Sequence, residues 1–269
     1  MTLKNRLFNL FPANNQTIYH VCRRYVERYD GVNDSNMTTN GETRLLTAVI
    51  PACQTVFDVG ANVGHWTQAV LALNPQATIH AFEPATAVYQ QLIAQNLPPN
   101  VLARPLGLSA SPGEEALYVN PAHTGLNSLY ARSAAAGPAQ LEHIQLTTLD
   151  DYCAQEQVAD IDFLKLDVEG HELAALQGGQ KMLHDGRIHL IQFEYGGTHI
   201  DARVFLKDFF ALLQPAGYDL YKIHPRCLQK QEHYQPALDT FQYQNWLAVR
   251  RQTVRRGNGR RLLDKVTLC

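Results

Sequence analysis

Apolar residues follow two alternating rhythms along this chain. Short continuous runs, Thr55–Val59 (TVFDV), 77–82 (ATIHAF), Val101–Arg104, Ile161–Leu166 (IDFLKL) and 187–193 (RIHLIQF), have the length and the β-branched and aromatic content of buried strands. Between them apolar positions recur at helical spacing, over 64–73, 84–96, the stretch after Gly170 through Leu173, Leu176 and Leu183, and 204–213. This alternation from 55 to 194 predicts an α/β fold with a doubly wound, mostly parallel sheet and right-handed crossovers. Tyr218–Ile223 and 245–249 read as two more strands joined by a long loop, which permits an antiparallel closing pair. Residues 115–119 and 143–146 flank a Gly/Ala/Ser/Pro-rich loop, 120–140, and read as outlying strands.

Ahead of the first strand, Leu3, Leu7, Leu10, Phe11, Ile18, Val21, Cys22, Tyr25, Val26 and Tyr29 predict one or two helices, broken near Pro12 and packed on the sheet. Asn40 then caps a helix over 41–50 that Pro51 stops. The chain thus divides into a helical extension (1–50) that is either a cover or a lid, a main domain (51–250) and a tail (251–269).

The chemistry concentrates at strand ends. In VFDVGANVG, residues 56–64, a buried strand turns sharply into a helix, where only small residues let a ligand approach the backbone and the helix start favours an anionic group. A dinucleotide fingerprint would place glycine at 60, 62 and 65; here stand Gly60, Asn62 and His65, with the next glycine at Gly64. Buried Asp58 needs partners, and turn N–H groups or a cofactor ammonium would supply them. At the end of the second strand, Glu83, followed by Pro84, is placed to accept both ribose hydroxyls of a nucleoside cofactor, adenosylmethionine and NAD alike; the alternative is an acid favoured by the start of the next helix.

Three segments carry a resemblance. D-V-G-A-N-V-G (58–64), A-F-E-P (81–84) and L-K-L-D-V-E-G-H-E (164–172) resemble the signatures of the FkbM family of S-adenosylmethionine-dependent methyltransferases. The resemblance implies a class I fold, with a Rossmann-like seven-stranded sheet and an antiparallel closing strand. It also implies S-adenosyl-L-methionine as donor and transfer to oxygen on sugars, polyketides or other small acceptors. By it Asp58, Gly60, Asn62, Gly64, Glu83, Pro84 and Gly107 fall on the cofactor, Gly107 because a flat adenine can lie against its backbone. Residues 125–129 resemble a family segment at the active-site mouth.

Three readings of the acids after the fourth and fifth strands stay open. Asp167 and Glu194 can ligate Mg2+ that acidifies the acceptor hydroxyl. Alternatively His171 or Glu169 takes the proton directly. The third assigns these groups to capping the helix after Gly170 and anchoring strand ends. Tyr195, His199 and Asp201 are candidate acceptor contacts.

Composition narrows the class further. With 45% hydrophobic and 18% charged residues, and no apolar run near the ~18 residues of a spanning helix, the reading is a cytoplasmic enzyme without a membrane partner. Five cysteines without paired spacing argue against a disulfide scaffold or zinc module and for a reducing cytoplasm. Residues 250–269 hold seven basic residues against Asp264 alone, leaving a net acidic body; a nucleic-acid acceptor fits that body poorly, and a small-molecule or sugar acceptor fits better. The competing functions are an NAD(P)-linked oxidoreductase, disfavoured by the glycine spacing, and a non-catalytic module of this fold that binds a partner or RNA.

Overall fold

The computed structural model describes residues 14–132, 139–251 and 268–269. The expected helical positions from Leu3 to Pro12 and most of the basic tail lie outside the described residues.

In chain order the strands are β1 (Thr55–Val59), β2 (Thr78–Phe82), β3 (Val101–Arg104), β4 (Gly107–Leu108), β5 (Gly113–Val119), β6 (Gln140–Thr147), β7 (Ile161–Leu166), β8 (Ile188–Tyr195), β9 (Tyr218–Ile223), β10 (Leu228–Gln231) and β11 (Gln244–Arg250). The helices are α1 (Gln16–Asp30), α2 (Glu42–Val49), α3 (His65–Leu73), α4 (Thr86–Ile93), α5 (Leu149–Gln155), α6 (Glu172–Gln177), α7 (Gln180–His184), α8 (Thr198–Ala202) and α9 (Leu206–Leu213). The main sheet runs β10-β9-β11-β8-β7-β1-β2-β3, with β8 through β3 parallel and β11 inserted antiparallel between β8 and β9. A smaller sheet, β4-β6-β5, contains the outlying strands.

The inner strands are buried on both faces, which is why they read as continuous apolar runs. Phe57, Val59, Leu164 and Leu166 enter one core, while Val56, Phe163 and Leu190 enter the other, beneath Leu45, Leu46 and Val49 of α2. Each such side chain contributes roughly 1.5–3 kcal/mol by leaving water. No helix among the described residues is long and apolar enough to cross a membrane.

Several expectations need correction. The main sheet has eight strands rather than seven, because β10 folds back on β9 within the stretch read as a loop. The helix after Gly170 is two helices, α6 and α7, divided at Gly178 and Gly179: a Cβ on Gly178 would lie 2.0 Å from the Ser109 carbonyl oxygen. Helix α5 lay unread although Thr148 accepts a hydrogen bond from the Asp151 N–H at its start and Leu149, Tyr152 and Cys153 recur at helical spacing. Helix α1 forms, but none of its residues is buried: Tyr19, Val21, Tyr25, Val26 and Tyr29 are all more than half exposed, so α1 does not pack on the sheet. Cys227 and Cys269 form a disulfide across 42 residues of sequence, beside a backbone hydrogen bond from Cys269 to Leu228. That pairing removes the cysteine argument for a reducing cytoplasm.

Candidate active site

The parallel strands β1, β2, β7 and β8 end on one edge of the sheet, and a cavity of about 880 Å³ opens there. Gly60, Asn62, Glu83, Pro84 and Gly107 line one part of it; Asp167, Glu169, His171 and Glu194 line another. Asp58 and Gly64 do not line it.

The turn after β1 is closed by its own hydrogen bonds. Gly60 and Ala61 donate to the Phe82 carbonyl, Asn62 to Glu83 Oε2 at 3.0 Å, Val63 to Asn62 Oδ1 and Gly64 to the Ala61 carbonyl. These donors are therefore already used, and the expected preference for an anionic group falls away. Such a turn suits a nucleoside without pyrophosphate better than a dinucleotide. Gly60 is required by close approach: it sits at φ +82, and a Cβ would come within 1.9 Å of the Asp167 carbonyl oxygen. Gly64 instead starts α3 against Leu92. Gly107 belongs to strand β4 rather than a loop, and its small size is also demanded by Leu146, 2.5 Å from the position of a Cβ.

Glu83 accepts from Asn62 N–H through one oxygen and from Ala85 N–H through the other, both at 3.0 Å. Each oxygen retains lone-pair capacity toward the cavity. Burial pushes this carboxyl up to about 7, against the pull of those two N–H groups. Asp58 has different partners from those expected: Thr67 Oγ1 donates to it at 2.7 Å, and the Lys165 ammonium lies 3.2 Å away. Its charge is met inside the protein.

At the other end, Asp167 Oδ2 lies 3.3 Å from Lys165 Nζ. The acids beside it are crowded. Burial, with Asp167 adding to it, raises Glu194 well above the usual carboxylate range and pushes Glu169 up to about 8, even though Arg132 pairs with Glu169 at 3.1 Å. Burial would lower Lys165, but Asp58, Asp167 and Glu42 outweigh it and raise the ammonium above its ordinary value. His171 is engaged at both nitrogens, Nδ1 with the Tyr130 hydroxyl at 2.9 Å and Nε2 with Ser109 Oγ at 3.0 Å, and burial lowers its pKa. Burial thus favours its neutral form.

The capping reading falls to a different residue. Glu172, fully buried, accepts from Val168 and Gly170 N–H and lies 3.0 Å from His199 Nε2; it holds the turn in which Glu169 and Gly170 both adopt positive φ. A metal fits the acids poorly. No group of three potential ligands exists among the described residues, and the cation beside Asp167 is Lys165. Tyr195 donates to Asp239 at 2.6 Å, His199 is buried against Glu172 and Asp201 is exposed, so none of these three reaches the cavity; Gly197 and Thr198 do.

Sequence reasoning passed over several lining residues. Ser35 and Tyr243 meet at the cavity because Asn33 N–H donates to the Tyr243 carbonyl and Tyr243 N–H to Asn33 Oδ1, which makes the segment before α2 part of the wall. The segment 125–129 docks on the acid turn, with Ser128 Oγ donating to the Glu169 carbonyl at 2.9 Å.

The strand order, with an antiparallel strand inserted beside the last parallel one and an acid closing β2, defines a class I methyltransferase. The profile of the methyltransferase FkbM domain matches residues 58–220, and the chain belongs to that family. Methyltransferase sdnD of Sordaria araneosa is 31% identical over 162 residues, 49% of this chain and 62% of that protein. Hexuronic acid methyltransferase AglP of Haloferax volcanii is 26% identical over 167 residues, 61% of this chain and 66% of that protein. The chain therefore matches less than two thirds of the length of either relative. Among solved structures, a methyltransferase FkbM from Methylobacillus flagellatus is similar at 15% identity and a TM-score of 0.43, over 72% of this chain and 43% of that one.

Proposed function

We propose that this chain transfers the methyl group of S-adenosylmethionine to a hydroxyl oxygen of a small polar acceptor of the sugar or sugar-acid class. The observation that carries the reading is the continuity of one cavity from Glu83 and Gly107 to Asp167 and Glu194. A nucleoside suits the first end: Glu83 offers acceptor lone pairs to ribose hydroxyls, and Pro84, Leu106, Gly107 and Leu108 give an apolar lining against which a flat ring would lie. The sulfonium, when bound, supplies an activated methyl carbon, and its positive charge suits an end lined by Asp167.

What the chain must do is align an acceptor hydroxyl and take up its proton. Alignment alone is worth ~7–11 kcal/mol in favourable cases. Among the candidate bases Asp167 is best suited. Its side chain is 39% exposed and it faces the Lys165 ammonium, whereas burial raises Glu169 and Glu194 and disfavours their ionised forms. His171 would have to break a hydrogen bond to act. Hydroxyl-bearing Ser35, Thr124, Thr198 and Tyr243 share the cavity, a lining suited to a polyol. AglP, named for hexuronic acids, supports the same acceptor class.

The test is methyl transfer from labelled S-adenosylmethionine to a panel of sugars, uronic acids and aliphatic alcohols, with the methylated atom located by NMR. O-methylation of a sugar or uronic acid is expected. Transfer to nitrogen or carbon, or calorimetric binding of NAD in place of S-adenosylhomocysteine, overturns the reading.

A further inference from the structure

Lys165 is a buried charge, engaged on several sides, that the reaction above leaves without a task. It is the register partner of Asp58 across β1 and β7, and its side chain is 7% exposed. Its ammonium has three protons and three neighbours: Asp58 Oδ1 at 3.2 Å, Asp167 Oδ2 at 3.3 Å and the face of the Trp66 ring, 5.5 Å to the centroid. Two of these neighbours are themselves held in place. Asp58 is fully buried and takes the Thr67 hydroxyl on its other oxygen, and Trp66 Nε1 donates to Glu42 at 3.0 Å, an acid that also receives Gln192 Nε2. The ammonium therefore cannot swing away without leaving a buried carboxylate uncompensated.

Along this row, Thr67 to Asp58 to Lys165 to Asp167, only the last group faces the cavity. We propose that Lys165 is the built-in cation of the acceptor site, a positioning residue that pins the Asp167 carboxylate where an acceptor hydroxyl would meet it and stands where other enzymes would need a divalent ion. The inference rests on the proposed function. A second cation set against Asp167 Oδ2 would be opposed by the ammonium already beside it. The same row ties the turn after β1 to Asp167: Asp58 lies in β1 two residues before Gly60, whose backbone packs on the Asp167 carbonyl.

The test is the pair of substitutions Asp58→Asn with Lys165→Met, which removes both buried charges together, since Lys165→Met alone strands Asp58 and can prevent folding. The double variant is expected to melt cooperatively and to bind S-adenosylhomocysteine within ~3-fold of the wild type. Its kcat is expected to fall ~100-fold, the scale of a misplaced catalytic group, while Asp58→Asn alone, which keeps the ammonium, stays within ~10-fold. Lys165→Arg, retaining the charge, should recover part of that loss. Wild-type turnover should be indifferent to EDTA.

Unchanged kcat in the double variant, or wild-type activity lost to EDTA and restored by Mg2+, overturns the proposal. A readout that needs no turnover separates its failure from that of the function. In a crystal structure of the double variant the Asp167 side chain should leave its wild-type rotamer; if it stays, Lys165 does not position it, whatever the enzyme methylates.

Discussion

At the Glu83 end of the cavity the chain builds with backbone, and at the Asp167 end it builds with charge. The first end is a tight turn whose N–H groups are satisfied by nearby carbonyls and by the Asn62 and Glu83 side chains, with Glu83, a buried acid, also lining the cavity. The second gathers Asp167, Glu169 and Glu194 with Lys165 and Arg132, drawn from β7, β8, the acid turn and the loop after β5. Backbone gives a rigid, charge-poor cradle that recognises shape and hydroxyls. Burial and crowding raise Glu169 and Glu194, while Asp167 keeps the Lys165 ammonium beside it and faces the cavity, the arrangement that suits it to accept a proton. On the proposed function this difference makes donor binding and acceptor choice separable, and each end can be tested by itself.

The largest effect is expected at the backbone end. Gly60→Ala forces a Cβ to 1.9 Å from the Asp167 carbonyl oxygen at φ +82, so S-adenosylhomocysteine binding should vanish, with a loss of stability of ~3 kcal/mol or more, read by calorimetry and thermal melting. Next, Asp167→Asn should lower kcat by ~100- to 1,000-fold while leaving S-adenosylhomocysteine affinity within ~3-fold. An equal loss of both would show that the two ends are not separable.

Glu83 connects the ends through pH. Its carboxyl stands at about 7 in the free protein, raised by burial, so its contribution to folding stability is full below the ordinary carboxylate value and is lost as pH rises through 7. Ribose hydroxyls favour the ionised form, so the sign for binding is opposite: cofactor affinity should be highest above pH 7 and fall ~30-fold by about pH 5.5, with proton release on binding. Calorimetry in buffers of different ionisation enthalpy measures both. A flat affinity profile would remove Glu83 from the ribose.

Arg132→Ala should act on the acceptor alone, raising acceptor KM by roughly 10-fold with S-adenosylhomocysteine affinity unchanged, because it frees Glu169 from its partner at 3.1 Å. The smallest effect belongs to α1. Tyr25→Ser, on a helix with no buried residue, should move stability by less than ~0.5 kcal/mol and leave turnover unchanged in melting and initial-rate measurements.

The same contrast explains what could be read from the sequence. The turn at 56–64, Glu83 and the inner strands are local patterns: an apolar run, small residues and an acid at fixed spacing, and Val101–Arg104, Ile161–Leu166 and Tyr218–Ile223 fall where that pattern put them. The acceptor end is assembled from far-apart positions. Lys165 reads as an interior strand residue until Asp58 and Asp167 are seen on either side of it, and Glu172, three residues past the acid expected to work, proves to be a structural clamp. His171 looked like a base because its type and position fit; only the Tyr130 and Ser109 contacts reveal that both its nitrogens are engaged. Periodicity likewise predicts α1 but not that its residues stay unburied, since an apolar stripe does not say what it faces.

We place the donor between the backbone cradle and the charged end, and a crystal structure with S-adenosylhomocysteine puts that placement to the test. Both ribose hydroxyls are expected on Glu83, adenine against Gly107, and the sulfur facing Asp167 and Glu194. A ligand whose sulfur points away from those acids, or whose ribose leaves Glu83 untouched, would contradict it.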